Sequence, residues 1–142
     1  MSKVVSTRLQ DETFQRLSRI ARILDKTPSD TVATLVEESL REMEFALIEF
    51  RSSPLGRQAF MNRSSLAVWE VVEIAQSYQM NIEKVADHFE HPLEWVKAAF
   101  NYAEAYPEEI DFAIQDSQSV TFSDLKRLLP NIEVFSASEQ RS

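Results

Sequence analysis

The stretch Lys3-Val4-Val5-Ser6-Thr7-Arg8-Leu9, followed by DETFQRLSRIARIL over 11–24 and DKTPSDTVATLVEESL over 25–40, decides how this chain reads. Val5, Thr7 and Leu9 alternate with Val4, Ser6 and Arg8, the period of two that marks a short strand. No adjacent hairpin turn offers a second strand, and a lone strand leaves its backbone N–H and C=O groups unpaired. The expected partner is therefore the same segment of a second copy, which makes the chain a homodimer.

Two helices are expected next. Asp11 and Glu12 place carboxylates in a first turn, where the helix dipole favours them, and Phe14, Leu17, Ala21 and Leu24 recur at helical spacing. Asp25 and Lys26 turn the chain. Thr27 is then a good N-cap before Pro28, whose missing N–H is harmless at a first helical position. Val32, Leu35, Val36, Leu40 and Met43 form an apolar stripe that carries the second helix to about residue 44.

Beyond residues 1–44 the pattern weakens. Residues 45–63 read as a linker or a short β-hairpin around Ser52-Ser53-Pro54-Leu55-Gly56, with the chain's single glycine suited to a positive φ. Residues 64–116 read as a small helical domain. Ser65 and Asn81 are expected caps, Pro92 is placed at a first helical position, and Pro107 either closes the last helix or opens a short successor. In 117–142, Thr121-x-x-Asp124 reads as a capping box for a short helix ended by Pro130, followed by a flexible tail. The expected class is mainly α.

Composition narrows the function. No run approaches the ~20 apolar residues of a membrane span, and the opening MSKVVSTRLQ has no apolar signal core, so a cytoplasmic protein is expected. The absence of cysteine removes disulfides, thiolate metal sites and cysteine nucleophiles. The net charge of −8 argues against a surface tuned throughout for nucleic acid. Yet residues 1–26 hold six cations against three anions, which leaves −11 on the remainder. A basic head on an acidic body can dock one end on DNA.

Residues 3 to about 44, with the three stretches quoted above, resemble the ribbon-helix-helix (MetJ/Arc-like) repressors. The resemblance implies two chains pairing their strands antiparallel and laying the ribbon in the major groove of double-stranded operator DNA. Carried onto this sequence, Val4, Ser6 and Arg8 would meet base edges, while Lys3, Thr27 and Ser29 would hold phosphate. The chemistry suits these roles. Arg8 can give paired hydrogen bonds to guanine O6 and N7, Ser6 can donate or accept, and Val4 can touch a thymine methyl. Free N–H groups and hydroxyls at a helix start form an anion site. Where the family often has glycine this chain has Asp25, a residue that tolerates the left-handed conformation. Taken alone, Arg8 reads equally well as a solvated charge that guards a strand edge.

Residues 64 to about 110, with AVWEVVE, IEKVADHF and NYAEAYPEEI, resemble a small bacterial antitoxin domain whose members often accompany PIN-like ribonuclease toxins. This resemblance implies a toxin protein as a further partner. The helices over 82–90 and 92–106 have helix-turn-helix spacing, but Glu94, Glu104, Glu108 and Glu109 would repel phosphate, which favours protein contact there. Trp95 and Tyr102 are candidate partner-binding residues, as amphipathic aromatics are enriched at interfaces, whereas Trp69 reads as core. Leu125, Leu128, Leu129, Ile132, Val134 and Phe135 are apolar anchors that suit a toxin's groove or a helix packed back on its own domain.

His88-x-x-His91 lacks a third ligand, so no metal is expected, and no cofactor or catalytic residue is assigned. The leading reading is an antitoxin that binds operator DNA as a dimer and neutralises a toxin. The alternatives are a ribbon-helix-helix repressor without a toxin and a protein-binding adaptor.

Overall fold

The computed structural model describes residues 2–119 and 127. Among them lie α1 (Asp11–Ile23), α2 (Pro28–Glu44), β1 (Ile48–Ser53), β2 (Gly56–Met61), α3 (Val68–Ser77), α4 (Ile82–Phe89), α5 (Leu93–Ala105) and α6 (Pro107–Ser119). The fold is mainly helical with one small antiparallel hairpin. Residues 2–10 carry no regular secondary structure and are exposed. The strand pattern at 3–9 thus has no ladder within one chain. The expected helix at Thr121 and the anchors Leu125, Leu128, Leu129, Ile132, Val134 and Phe135 lie outside the described residues.

Local chemistry explains most boundaries. α1 ends at Leu24, after which Asp25 takes φ +54°. The Lys26 N–H reaches Ala21 O at 2.9 Å and the Asp25 N–H reaches Arg22 O at 3.2 Å, which closes the last turn as a Schellman motif. Thr27 caps α2, its Oγ1 accepting from the Asp30 N–H at 3.1 Å. In the hairpin Ser53 pairs with Gly56 and Ile48 with Met61. Gly56 has φ +99°, and a Cβ there would meet nothing, so backbone conformation alone asks for glycine.

The helical body differs from expectation at three points, the first being that Pro92 is the N-cap of α5 and Leu93 its first residue. Ser65 does not cap α3, because the N-cap is Ala67, whose N–H is taken by Glu70 Oε1 at 3.0 Å. Pro107 does open a successor helix, but one of 13 residues and not a short one. Asn81 does cap α4, its Oδ1 accepting from the Lys84 N–H at 3.0 Å.

The core lies under the hairpin and among α3 to α6. Val68, Val71, Val72 and Ala75 are the buried face of α3, and Ile48, Met61, Val85, Val96, Ala99, Tyr102, Ile110 and Ile114 close around it. A fully buried valine or isoleucine contributes about 1.5–3 kcal/mol relative to exposure, so this cluster holds the body together. α1 packs against α2, and α2 packs against β1. An ionic tie also joins α2 to the other strand of the hairpin, β2. Glu38 is only 7% exposed and accepts from Arg57 Nη2 at 2.5 Å and Nε at 3.0 Å. Glu42 Oε1 takes the outward Phe50 N–H of β1 at 2.8 Å.

Candidate nucleic-acid interface

The N-terminal part contrasts with the body in what it leaves uncovered. Val4 and Val5 are 93% and 88% exposed. Ile20 and Ile23 of α1, with Val32, Leu35, Val36, Leu40 and Met43 of α2, are all exposed as well. They are not scattered. Together with Leu9 and Leu17 they line one open groove of about 790 Å³ between the two helices. Single exposed apolar residues are ordinary on a monomer, whereas a continuous apolar trough points to an interaction surface. Ala21, Thr31 and Glu38 are the buried residues of the pair, and Thr31 Oγ1 donates to Thr27 O at 2.9 Å.

Beside the groove sits positive charge. Lys3, Arg8, Arg16, Arg19, Arg22 and Lys26 are all exposed, and Arg16 and Arg19 lie on the groove itself. Val4, Ser6 and Arg8 share the exposed leading segment with Lys3. Thr27 and Ser29 are exposed at the start of α2, the end where the helix dipole is positive. The Thr27 oxygen accepts from Asp30 N–H and its hydroxyl hydrogen can still be donated. Lys26 is held differently, with Nζ donating to Thr34 Oγ1 at 2.9 Å.

The aromatic candidates fall elsewhere. Trp95 is 6% exposed and Tyr102 fully buried, so these two belong to the core and not to a partner-binding surface. Trp69, read as core, is half-buried, with Nε1 near Gln58 Oε1 at 3.5 Å. His91 stacks on Trp95, ring centroids 4.0 Å apart, and His88 Nδ1 pairs with the Tyr78 hydroxyl at 3.0 Å. Among the described residues no group of three or more histidine and acidic side chains could hold a metal ion. Nor is any described helix long and apolar enough to cross a membrane.

One cluster escaped sequence reasoning. Arg41 Nη1 donates to Tyr102 Oη at 2.7 Å and to Glu109 Oε1 at 2.9 Å, while Nε donates to Glu37 Oε1 at 3.0 Å. Tyr102 Oη donates to Glu109 Oε2 at 2.5 Å. The Arg41 guanidinium also lies 3.7 Å from the Tyr106 ring centroid. Burial opposes the charge on Arg41, but its hydrogen bonds to Glu109, Tyr102 and Glu37 outweigh that and raise its pKa. Burial, reinforced by the bond to Glu109, pushes the Tyr102 phenol well above the ordinary value. The hydrogen bond to Glu38 likewise raises Arg57 against its partial burial. Arg41 and Glu37 are near in sequence and so are Tyr102, Tyr106 and Glu109, but Arg41 lies 61 residues from Tyr102, so no local spacing announces the cluster.

No known family model, curated protein or solved structure matches the chain. The groove and the basic head must therefore be read on their own chemistry.

Proposed function

We propose that the chain is a ribbon-helix-helix repressor that binds operator DNA as a homodimer, and that it serves as the antitoxin of a toxin–antitoxin pair. One observation carries the DNA-binding half: an uncovered apolar groove between α1 and α2 lies beside an exposed segment with strand alternation and no strand to pair with. A second copy answers both needs at once, covering the groove with its own α1 and α2 and pairing its residues 3–9 with the first. The ribbon then presents Val4, Ser6 and Arg8 from both chains toward base edges, with Lys3, Thr27 and Ser29 toward phosphate.

Arg8→Ala tests this on DNA duplexes selected from a randomised pool by the wild-type chain. Affinity is expected to fall by about 1–3 kcal/mol, with relaxed preference at one base pair of each half-site. Lys3→Ala should instead weaken all sequences alike and lower the salt slope by about 1. Unchanged affinity and slope in both variants would remove the ribbon as the reader.

The antitoxin half is supported by the resemblance of residues 64–110 and by the charge of −11 outside the basic head, which suits a basic protein partner. A chain ending at Ser119 keeps α1 to α6 and both strands of the hairpin. It is expected to retain DNA binding and to lose protection of growth when co-expressed with a PIN-like nuclease encoded beside it. Equal protection by the shortened chain refutes a toxin-binding tail, and the absence of such a neighbour favours the repressor without a toxin. An adaptor that never touches DNA is the outcome if no duplex is enriched.

A further inference from the structure

We infer that Arg41 is the hub of a rigid joint through which the helical body sets the position of α2, and with it the strength of the dimer formed across the α1–α2 groove. The coupling to dimer strength rests on the dimeric reading above; the joint itself does not.

α2 is a helix with two employments. Val32, Leu35, Val36, Leu40 and Met43 line the open groove, while Glu38, Arg41 and Glu42, spaced as neighbours on one helical face, are bound to the body. Arg41 follows Leu40 directly, so the two faces meet at adjacent residues. The bonds from Arg41 reach α5 through Tyr102 and the first turn of α6 through Glu109, and those two residues are bonded to each other. Arg57 on β2 grips Glu38 with two nitrogens, one turn earlier on the same face.

A planar guanidinium with Nε and Nη1 bonded to three side chains and a ring against its face is held in an orientation that a lysine does not reproduce. Enclosed ionic groups of this kind add little net stability but can fix a unique geometry. The Arg41 side chain is 16% exposed, against 56% for Glu37 and 44% for Glu109, so the cation is the enclosed member. Any rearrangement of α5 and α6 must move Tyr102 or Glu109, and hence α2, or break these bonds. This makes the joint a route by which events on the acidic body reach the groove.

The absence of cysteine allows a clean test in the full chain. Spin labels on Gln15→Cys in α1 and Lys84→Cys in α4 report the distance between the two parts, with labelled chain diluted into unlabelled chain so that only intrachain pairs are read. The native joint is expected to give one narrow distribution, and Arg41→Met a broad or multiple one, with Arg41→Lys failing to restore it. Sedimentation should show the dimer dissociation constant of Arg41→Met raised roughly tenfold, within the usual range of coupling between sites. If Arg41→Met does not fold, Glu109→Gln, a near-isosteric change at a partly exposed carboxylate, is read in the same way. A broad distribution in the wild type, or narrow ones in both variants, overturns the joint. Broadening with an unchanged dissociation constant overturns the coupling. A wild-type chain that stays monomeric overturns the coupling together with the dimer reading, while the distances still judge the joint. A dimer without DNA affinity contradicts only the proposed function.

Discussion

Asp25 closes α1 at φ +54°, a conformation that strains an aspartate less than most residues but still more than glycine. Asp25→Gly is accordingly expected to stabilise the chain by up to about 1 kcal/mol, measured by urea unfolding, and Asp25→Val to destabilise it. Tyr102 makes a pH-dependent prediction. Its folded pKa is raised, so it gives no pH dependence well below the ordinary phenol value of about 10. Above that value the unfolded chain gives up the proton first, and stability falls as pH rises toward the folded pKa. Thermal melts between about pH 8 and pH 11 should show that loss in the wild type and less of it in Tyr102→Phe. Residues whose role is local were legible in the sequence. Thr27 and Asn81 cap as expected and Gly56 takes its positive φ, because each depends on neighbours within a few positions. Ser65 was misread because a competing local solution, Glu70 reaching back to Ala67, begins the helix two residues later. Trp95 and Tyr102 were misplaced because burial of an amphipathic aromatic depends on helices that meet it from elsewhere in the chain. Arg41 had no legible signal, since Tyr102 and Glu109 lie 61 and 68 residues away.

The paired helices α1 and α2 are readable because their apolar residues keep a helical period and the junction between them carries a turn at Asp25 and a cap at Thr27. The same period holds the main claim, since among the described residues the stripe of α2 is only partly covered, with Val36, Leu40 and Met43 about half or more exposed. Val36→Glu puts a carboxylate into that groove, where a second copy would have to desolvate it. The variant is expected to be monomeric and to lose DNA affinity, while the body, whose core lies elsewhere, keeps its fold. Light scattering and circular dichroism on the same sample check this. Dimeric Val36→Glu would mean that the groove is not the interface. The hairpin was only half legible, because a turn signal with one glycine does not distinguish a linker from two paired strands. Its register, Ser53 opposite Gly56 through Ile48 opposite Met61, depends on pairing between the strands, and Glu42 of α2 takes the Phe50 N–H of β1. α6 was underestimated because Pro107 reads as a helix end and as a helix start alike.

In the molecule as a whole, the two parts differ in how they are finished. The body from β1 to α6 closes a core in one chain, whereas the basic N-terminal part leaves residues 2–10 without regular secondary structure and, among the described residues, its groove open. The ties of α2 to the hairpin and to α6 join the basic N-terminal part to the body. Amide hydrogen exchange across residues 3–9, followed as protein concentration is raised, tests this account most directly. Pairing with a second copy predicts alternating protection along the segment that grows with concentration. Free exchange of all these amides at every concentration would contradict it.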